Sequence, residues 1–309
     1  MASFARPWLG ITVLSSSVMG CATMGGLLSR DLVSLRYGWP EQSIMRVVHT
    51  VDVRTDWSDR RTAQRRFTLT LGPADAQGAR RLGIHDVEVT EAPFPAFVEP
   101  LATSIIDAQG DFQGIDPLED GPGLELLDAL PLSPRKKAQM TKALTNGLER
   151  DARDRWNQWV GSWHGGRFKP GKLDVIESTI AVGTGRKSSE EVPAEDRQQL
   201  DVGVPCSDSV PEPRCARLHV VREPVGQKDD TQGRYARLEL ELVTDPATLL
   251  PYSSRLIRMD RVNWAAEGDA PDYHEAVNVE QYTFLHGVEA VPGQIASVGF
   301  GQHLPTLEK

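Results

Sequence analysis

The sequence predicts an α+β fold, with a curved antiparallel sheet packed against one long and one short helix. Three observations carry this expectation. Apolar and polar residues alternate with a period of two through most of the chain, as in Phe67, Leu69 and Leu71 against Thr68 and Thr70. Such alternation with one polar face marks antiparallel strands that bury one side. One long stretch switches to a period near four, so the order runs strands, helices, strands, and helices segregated in this way sit beside an antiparallel sheet.

The strands are read from their alternation. Val47, Val51 and Val53 share a face opposite Thr50 and Asp52. Val87 and Val89 alternate with Asp86 and Glu88, and Leu238, Leu240 and Leu242 with Arg237, Glu239 and Glu241. Ile105-Ile106 runs through Asp107-Ala108-Gln109-Gly110 to Phe112, a tight hairpin. Val277 and Val279 fall out of phase with Tyr282 and Phe284, which predicts a bulge or a sharp bend of a curved strand.

The long helix starts at Ser133 as N-cap with Pro134 at its first position, and stops at Gly165-Gly166. Met140, Leu144, Leu148, Ala152, Trp156 and Val160, joined by Trp159 and Trp163, form its apolar stripe. Arg150, Asp151, Arg153, Asp154 and Arg155 are expected on its solvated surface. The short helix is expected over 124–130, after Gly121-Pro122-Gly123. The stretches 190–195 and 225–233 read as polar loops.

The N-terminus reads as an export signal. Arg6 is the only charge before Arg30, and the apolar run from Trp8 to Val18 is too short to span a bilayer. Val18-Met19-Gly20-Cys21 resembles the lipobox of bacterial lipoproteins. That resemblance covers only the signal. It implies cleavage before Cys21, a diacylglycerol thioether on Cys21, and N-acylation of the new terminus. Two or three acyl chains anchor stably where one is marginal. Ala22 after the cysteine implies an outer-membrane destination in a Gram-negative cell envelope. The expected organisation is a signal over 1–20, a flexible tether over 21–30, a single α+β domain over 31–300 and a tail over 301–309.

Assigning Cys21 to lipid leaves Cys206 and Cys215 of three cysteines, in a turn-rich loop. Outside the cytoplasm such a pair oxidises, so a disulfide between two strands is expected. A metal pair there lacks further ligands at suitable spacing. The formal net charge is −9, and loss of Arg6 with the signal makes it more negative. So acidic a chain is a poor nucleic-acid binder and is not drawn as a whole to anionic lipid. Attachment therefore rests on the anchor.

No catalytic motif, cofactor loop or metal-ligand spacing stands out, so a non-enzymatic protein without cofactor is expected. The seven histidines are scattered, and His49 and His85, on the apolar phase of their strands, read as structural. Asp116, Glu119, Asp120, Glu125 and Asp128 do not match an EF-hand loop and read as a solvated loop and an acidic first helical turn. Gly183-Thr184-Gly185-Arg186-Lys187-Ser188 lacks the spacing of a phosphate loop.

Trp156, Trp159 and Trp163 share one helix face and serve either as packing against the sheet or as the wall of a site for a hydrophobic ligand. The stretch from Ile105 to Gly110, the long helix, and the turn from Leu242 to Pro251 look like uncharacterised bacterial lipoproteins and, more distantly, lipoprotein-carrier half-barrels. The second resemblance spans about a tenth of the chain. It implies a half-barrel-like sheet that wraps helices and holds acyl chains. The expected function is an envelope lipoprotein that binds a lipid or another hydrophobic ligand. The alternative is a scaffold for envelope assembly that binds no small molecule.

Overall fold

The computed structural model describes residues 32–91, 101–117, 129–183, 189–226, 235–263 and 272–286, with positions 124, 127 and 265. The expected signal, Cys21, the tether and the C-terminal tail lie outside these residues. So does most of the short helix.

The strands are β1 (Val33–Ser34), β2 (Ile44–Thr55), β3 (Ser58–Ala74), β4 (Arg80–Glu91), β5 (Ser104–Ile106) and β6 (Phe112–Ile115). The helix α1 (Pro134–Trp156) follows, and a π-helical turn (Asn157–Gly161) continues it. Then come β7 (Arg167–Phe168), β8 (Leu173–Gly183), β9 (Ser189–Val204), β10 (Cys215–Pro224), β11 (Tyr235–Thr244), β12 (Pro251–Asn263) and β13 (Tyr273–His286). Eleven strands form one antiparallel sheet in the order β6-β5-β4-β3-β2-β13-β12-β11-β10-β9-β8, while β1 pairs with β7 separately. The sheet is curved and does not close. This is the α+β architecture that the alternation predicts.

The concave face holds the core because the alternation places apolar residues there on every central strand. Met45, Phe67, Leu69, Leu218, Leu242 and Phe284 are all buried in one cluster. The end of α1, the π-helical turn and Leu35 and Trp39 cover this cluster. Gly165, at φ +78°, ends the helical run, and its N–H donates to Leu35 O. The expected hairpin at Asp107 is present, with Asp107 Oδ1 accepting from the N–H groups of Gln109 and Asp111. Gly110 is required at its tip. Its φ is +93°, and a Cβ would lie 2.7 Å from the ring of Tyr37. The turn after β11 is likewise closed by Asp245, whose carbonyl accepts from Leu249 N–H at 2.8 Å.

Four expectations are corrected. The pairing of β13 with β12 and β2 runs in continuous register, without a bulge. The phase slip arises because Glu280, a charged residue, occupies a buried position on the same face as Tyr282 and Phe284. In β4 the irregularity falls elsewhere. Asp86 has φ +52° at a break in register with β3, so the apolar phase changes there: His85 alternates with the inward Leu82 and Ile84 and faces outward, and Val87 is exposed at the break. His85 is exposed and bonds Thr70 Oγ1. Residues 190–195 belong to β9 rather than a loop, since Val192 and Ala194 alternate inward there. Arg155, expected in solvent, is buried beside Trp156.

On α1 the fully buried residues begin at Leu148. Leu148 and Ala152 are buried, whereas Met140, expected in the buried stripe, is exposed. Gly147 sits where a Cβ would meet nothing within 4 Å. Replacing it by alanine should stabilise the protein by about 0.5–1 kcal/mol, read as a higher urea midpoint at unchanged slope.

Candidate functional site

The concave face carries three regions. The first is the aromatic floor. Trp156, Trp159 and Trp163 are 1%, 1% and 5% exposed. Trp156 Nε1 donates to Gly110 O at 2.8 Å and Trp163 Nε1 to Gln158 O at 3.0 Å. Trp159 stands edge-on to Tyr282 and Phe284, with ring centroids 5.0 and 5.1 Å away. Its Nε1 is buried without a hydrogen-bond partner.

The second region is a buried polar cluster beside this floor, where α1 meets the sheet. His49 lies flat on Tyr282, with ring centroids 4.1 Å apart. Arg65 Nε can only donate, and it lies 3.0 Å from His49 Nδ1, so Nδ1 is the acceptor. Nε2 therefore carries the proton and donates to Glu280 Oε1 at 2.9 Å. Burial holds the imidazole below its ordinary pKa, against the pull of Glu280. The same Glu280 oxygen accepts from Tyr282 OH at 2.7 Å. Burial and then Glu280 push the tyrosine well above its usual range, so it stays protonated. From the helix, Arg155 pairs with Asp151 and lies within electrostatic reach of Glu280 and Arg65. Both nitrogens of His49 are thus committed to neighbours, which suits a latch between helix and sheet. Gln158 Nε2, donating to the buried Ser254 Oγ at 2.8 Å, adds a second polar tie.

Asp154 borders this cluster. Its Oδ2 is buried without a partner, and its carboxyl is pushed up to about 7 by burial first and by Asp151 second. The carboxyl of an unfolded aspartate titrates near pH ~4. Folding therefore takes up a proton between about pH 4 and 7, and stability falls as pH rises through that window. Replacing Asp154 by asparagine should raise stability slightly at pH 5, early in that window, and more at pH 8. After allowance for solvent screening, the gain is about 1–2 kcal/mol. Urea titrations of both proteins at the two pH values check this, and an equal effect at both would remove the argument.

The third region continues past the floor. Two smaller apolar clusters lie on the same face, and Leu238 ties one of them to the main core. One joins Val51 and Ala63 with half-buried Val53. The other joins Ile180, Val182, Ala194 and Ala236 with half-buried Leu238. Strand register places Leu256, Arg258, Ala276 and Asn278 between them. Asn278 Oδ1 there is buried and has no partner. The β8 rim is held by Arg222, which grips Asp196 through two bonds of 2.6 Å, while Ser178 Oγ donates to Asp196 as well.

Away from this face, Cys206 and Cys215 form the expected disulfide, buried against Val243 and Tyr252. No group of three or more His, Cys, Asp or Glu among the described residues is placed to hold a metal ion. Asp116 pairs with Arg81, and the other acidic residues of that group lie outside the described residues. So does the stretch 184–188.

The residues that sequence reasoning missed are Arg65, Arg155 and Glu280. Two of them left a readable signal. Arg65 occupies the phase of Phe67 and Leu69, and Glu280 that of Tyr282 and Phe284.

No protein-family model and no curated protein matches this chain. Among solved structures, one of lipid–protein interactions in lipovitellin is similar at TM-score 0.36 and 7% identity, over 84% of this chain. This chain spans 27% of that one. A LolA-superfamily protein from Nitrosomonas europaea is similar at TM-score 0.23 and 12% identity, over 82% of this chain and 90% of that one. Likenesses of this size carry no argument about what this chain does.

Proposed function

We propose that the protein is a non-enzymatic envelope lipoprotein, anchored through Cys21, that takes a lipid acyl chain or a similar hydrophobic ligand in the cup of its curved sheet. The observation that carries this reading is the division of the concave face. Beyond Tyr282 and Leu256 the buried apolar residues divide into two smaller clusters on the same side, one of them tied to the main core through half-buried Leu238. A ligand lying between them would bury both and rest one end against the tryptophan floor. Apolar contact of this kind drives binding with little demand for specific polar groups.

The test is native mass spectrometry with lipid extraction on residues 22–309, exported to the periplasm behind a non-lipidating signal. The expected result is a reproducible co-purifying lipid that is lost when Leu238 becomes arginine in a still-folded protein. A chain that stays bare when offered phospholipid or fatty acid would sink the reading.

One observation favours a scaffold instead. Strand β8 is a sheet edge, and Leu173, Val175 and Ile176 on it are exposed. An open apolar edge is a template for strand addition by another chain.

A further inference from the structure

The first half of α1 is a basic surface on an acidic protein. From Ala129 to Leu148 the chain has four cations, Arg135, Lys136, Lys137 and Lys142, and no acidic residue, against a net charge of −9 overall. Arg135, Lys136 and Lys142 are exposed and make no ion pair among the described residues. Cations in the first turn oppose the helix macrodipole, so they do not serve the stability of the helix. The apolar side chains around them are also uncovered. Met140 on the same half of the helix is 42% exposed, and Leu130 just before it 37%.

We propose that this half of α1 docks on an anionic phospholipid bilayer. Charge complementarity and the exposed methionine among the cations fit an interface of headgroups over acyl chains. Chain geometry supports the same partner. The first strand among the described residues is β1, which pairs with β7 just past the end of the helical run, and Leu35 bonds Gly165 and Gly166. An anchor at Cys21, eleven residues before Leu32, could therefore reach at most roughly 40 Å from the C-terminal end of the helical run. The basic end lies on the order of 35 Å away along α1. Lipid at one end and the basic turns at the other would lay α1 along the membrane and keep the protein from rotating freely about its anchor. The proposal does not depend on a ligand in the cup.

The test uses the full chain carrying Cys21→Ser, which removes the anchor. It is sedimented with phosphatidylcholine vesicles and with vesicles containing about 30% phosphatidylglycerol. The apolar N-terminal segment acts on both vesicle types and carries Arg6 and Arg30, so the part of the phosphatidylglycerol preference that is lost with Arg135, Lys136 and Lys142 reads the helix. The expected preference for anionic vesicles is on the order of 100-fold at low ionic strength, and it disappears in about 0.5 M salt. Arg135→Glu/Lys136→Glu/Lys142→Glu should abolish the preference. Arg135→Gln/Lys136→Gln/Lys142→Gln, which leaves the helix surface neutral, should abolish most of it at an unchanged melting temperature. Equal binding to both vesicle types, or a preference that survives both variants, overturns the proposal. Equal binding would leave the acidic face of another protein as the partner for this surface.

Discussion

Replacing Glu280 by alanine should destabilise the protein by about 3–5 kcal/mol, the range for removing one member of a buried ionic group. The carboxylate is the point where the polar cluster converges. Its Oε1 accepts from His49 Nε2 and Tyr282 OH, and its charge offsets Arg65 and Arg155. Removing it leaves two donors without their acceptor, and each orphaned buried donor costs about 1–3 kcal/mol. It also leaves two buried guanidinium groups facing fewer negative charges. Glutamine in its place keeps an oxygen for both donors but loses the charge, so Glu280→Gln should fall between wild type and Glu280→Ala. Urea unfolding of the three proteins at pH 7 orders them. An alanine variant within about 1 kcal/mol of wild type would mean that the cluster is solvated, and the latch between helix and sheet would have to be abandoned.

The contrast between what the sequence announces and what it hides follows from where the charges sit. Alternation identifies strands reliably when one face is apolar throughout, as in Phe67, Leu69 and Leu71, and all three are buried as expected. The same reasoning misreads β13, because a charged residue at a core position looks like a slip of phase. A buried carboxylate needs partners from elsewhere in the chain. Tyr282 is a near neighbour of Glu280, but His49 and, through its field, Arg155 on the helix lie more than 100 residues away. Periodicity does not reveal such separations. The disulfide was legible because its two cysteines are near neighbours in a turn-rich stretch of the chain. The basic half of α1 was legible as composition, but not as surface. Its helical period continues unbroken from Met140 to Val160, and only packing shows that burial begins at Leu148.

Trp159 separates the two uses of the tryptophan cluster. If it is core, Trp159→Ala should cost about 3–5 kcal/mol, because it removes a buried indole packed edge-on against both Tyr282 and Phe284 and leaves a cavity beside those rings. Trp159→Phe should cost far less. Phenylalanine retains an aromatic edge for the two rings, and it lacks the indole N–H that is buried without a partner, which offsets part of the lost volume. A wall facing a ligand gives a different pattern. Truncation there widens a space that already exists, so protein purified without lipid would lose little stability while its affinity for lipid changed. Thermal unfolding of both variants, in delipidated protein and again with added phospholipid, distinguishes the two. A large loss in the delipidated alanine variant assigns Trp159 to the packed floor and leaves the ligand to the apolar clusters beyond it. A small loss there, with a change in lipid-dependent stabilisation, makes the tryptophan itself part of the binding wall.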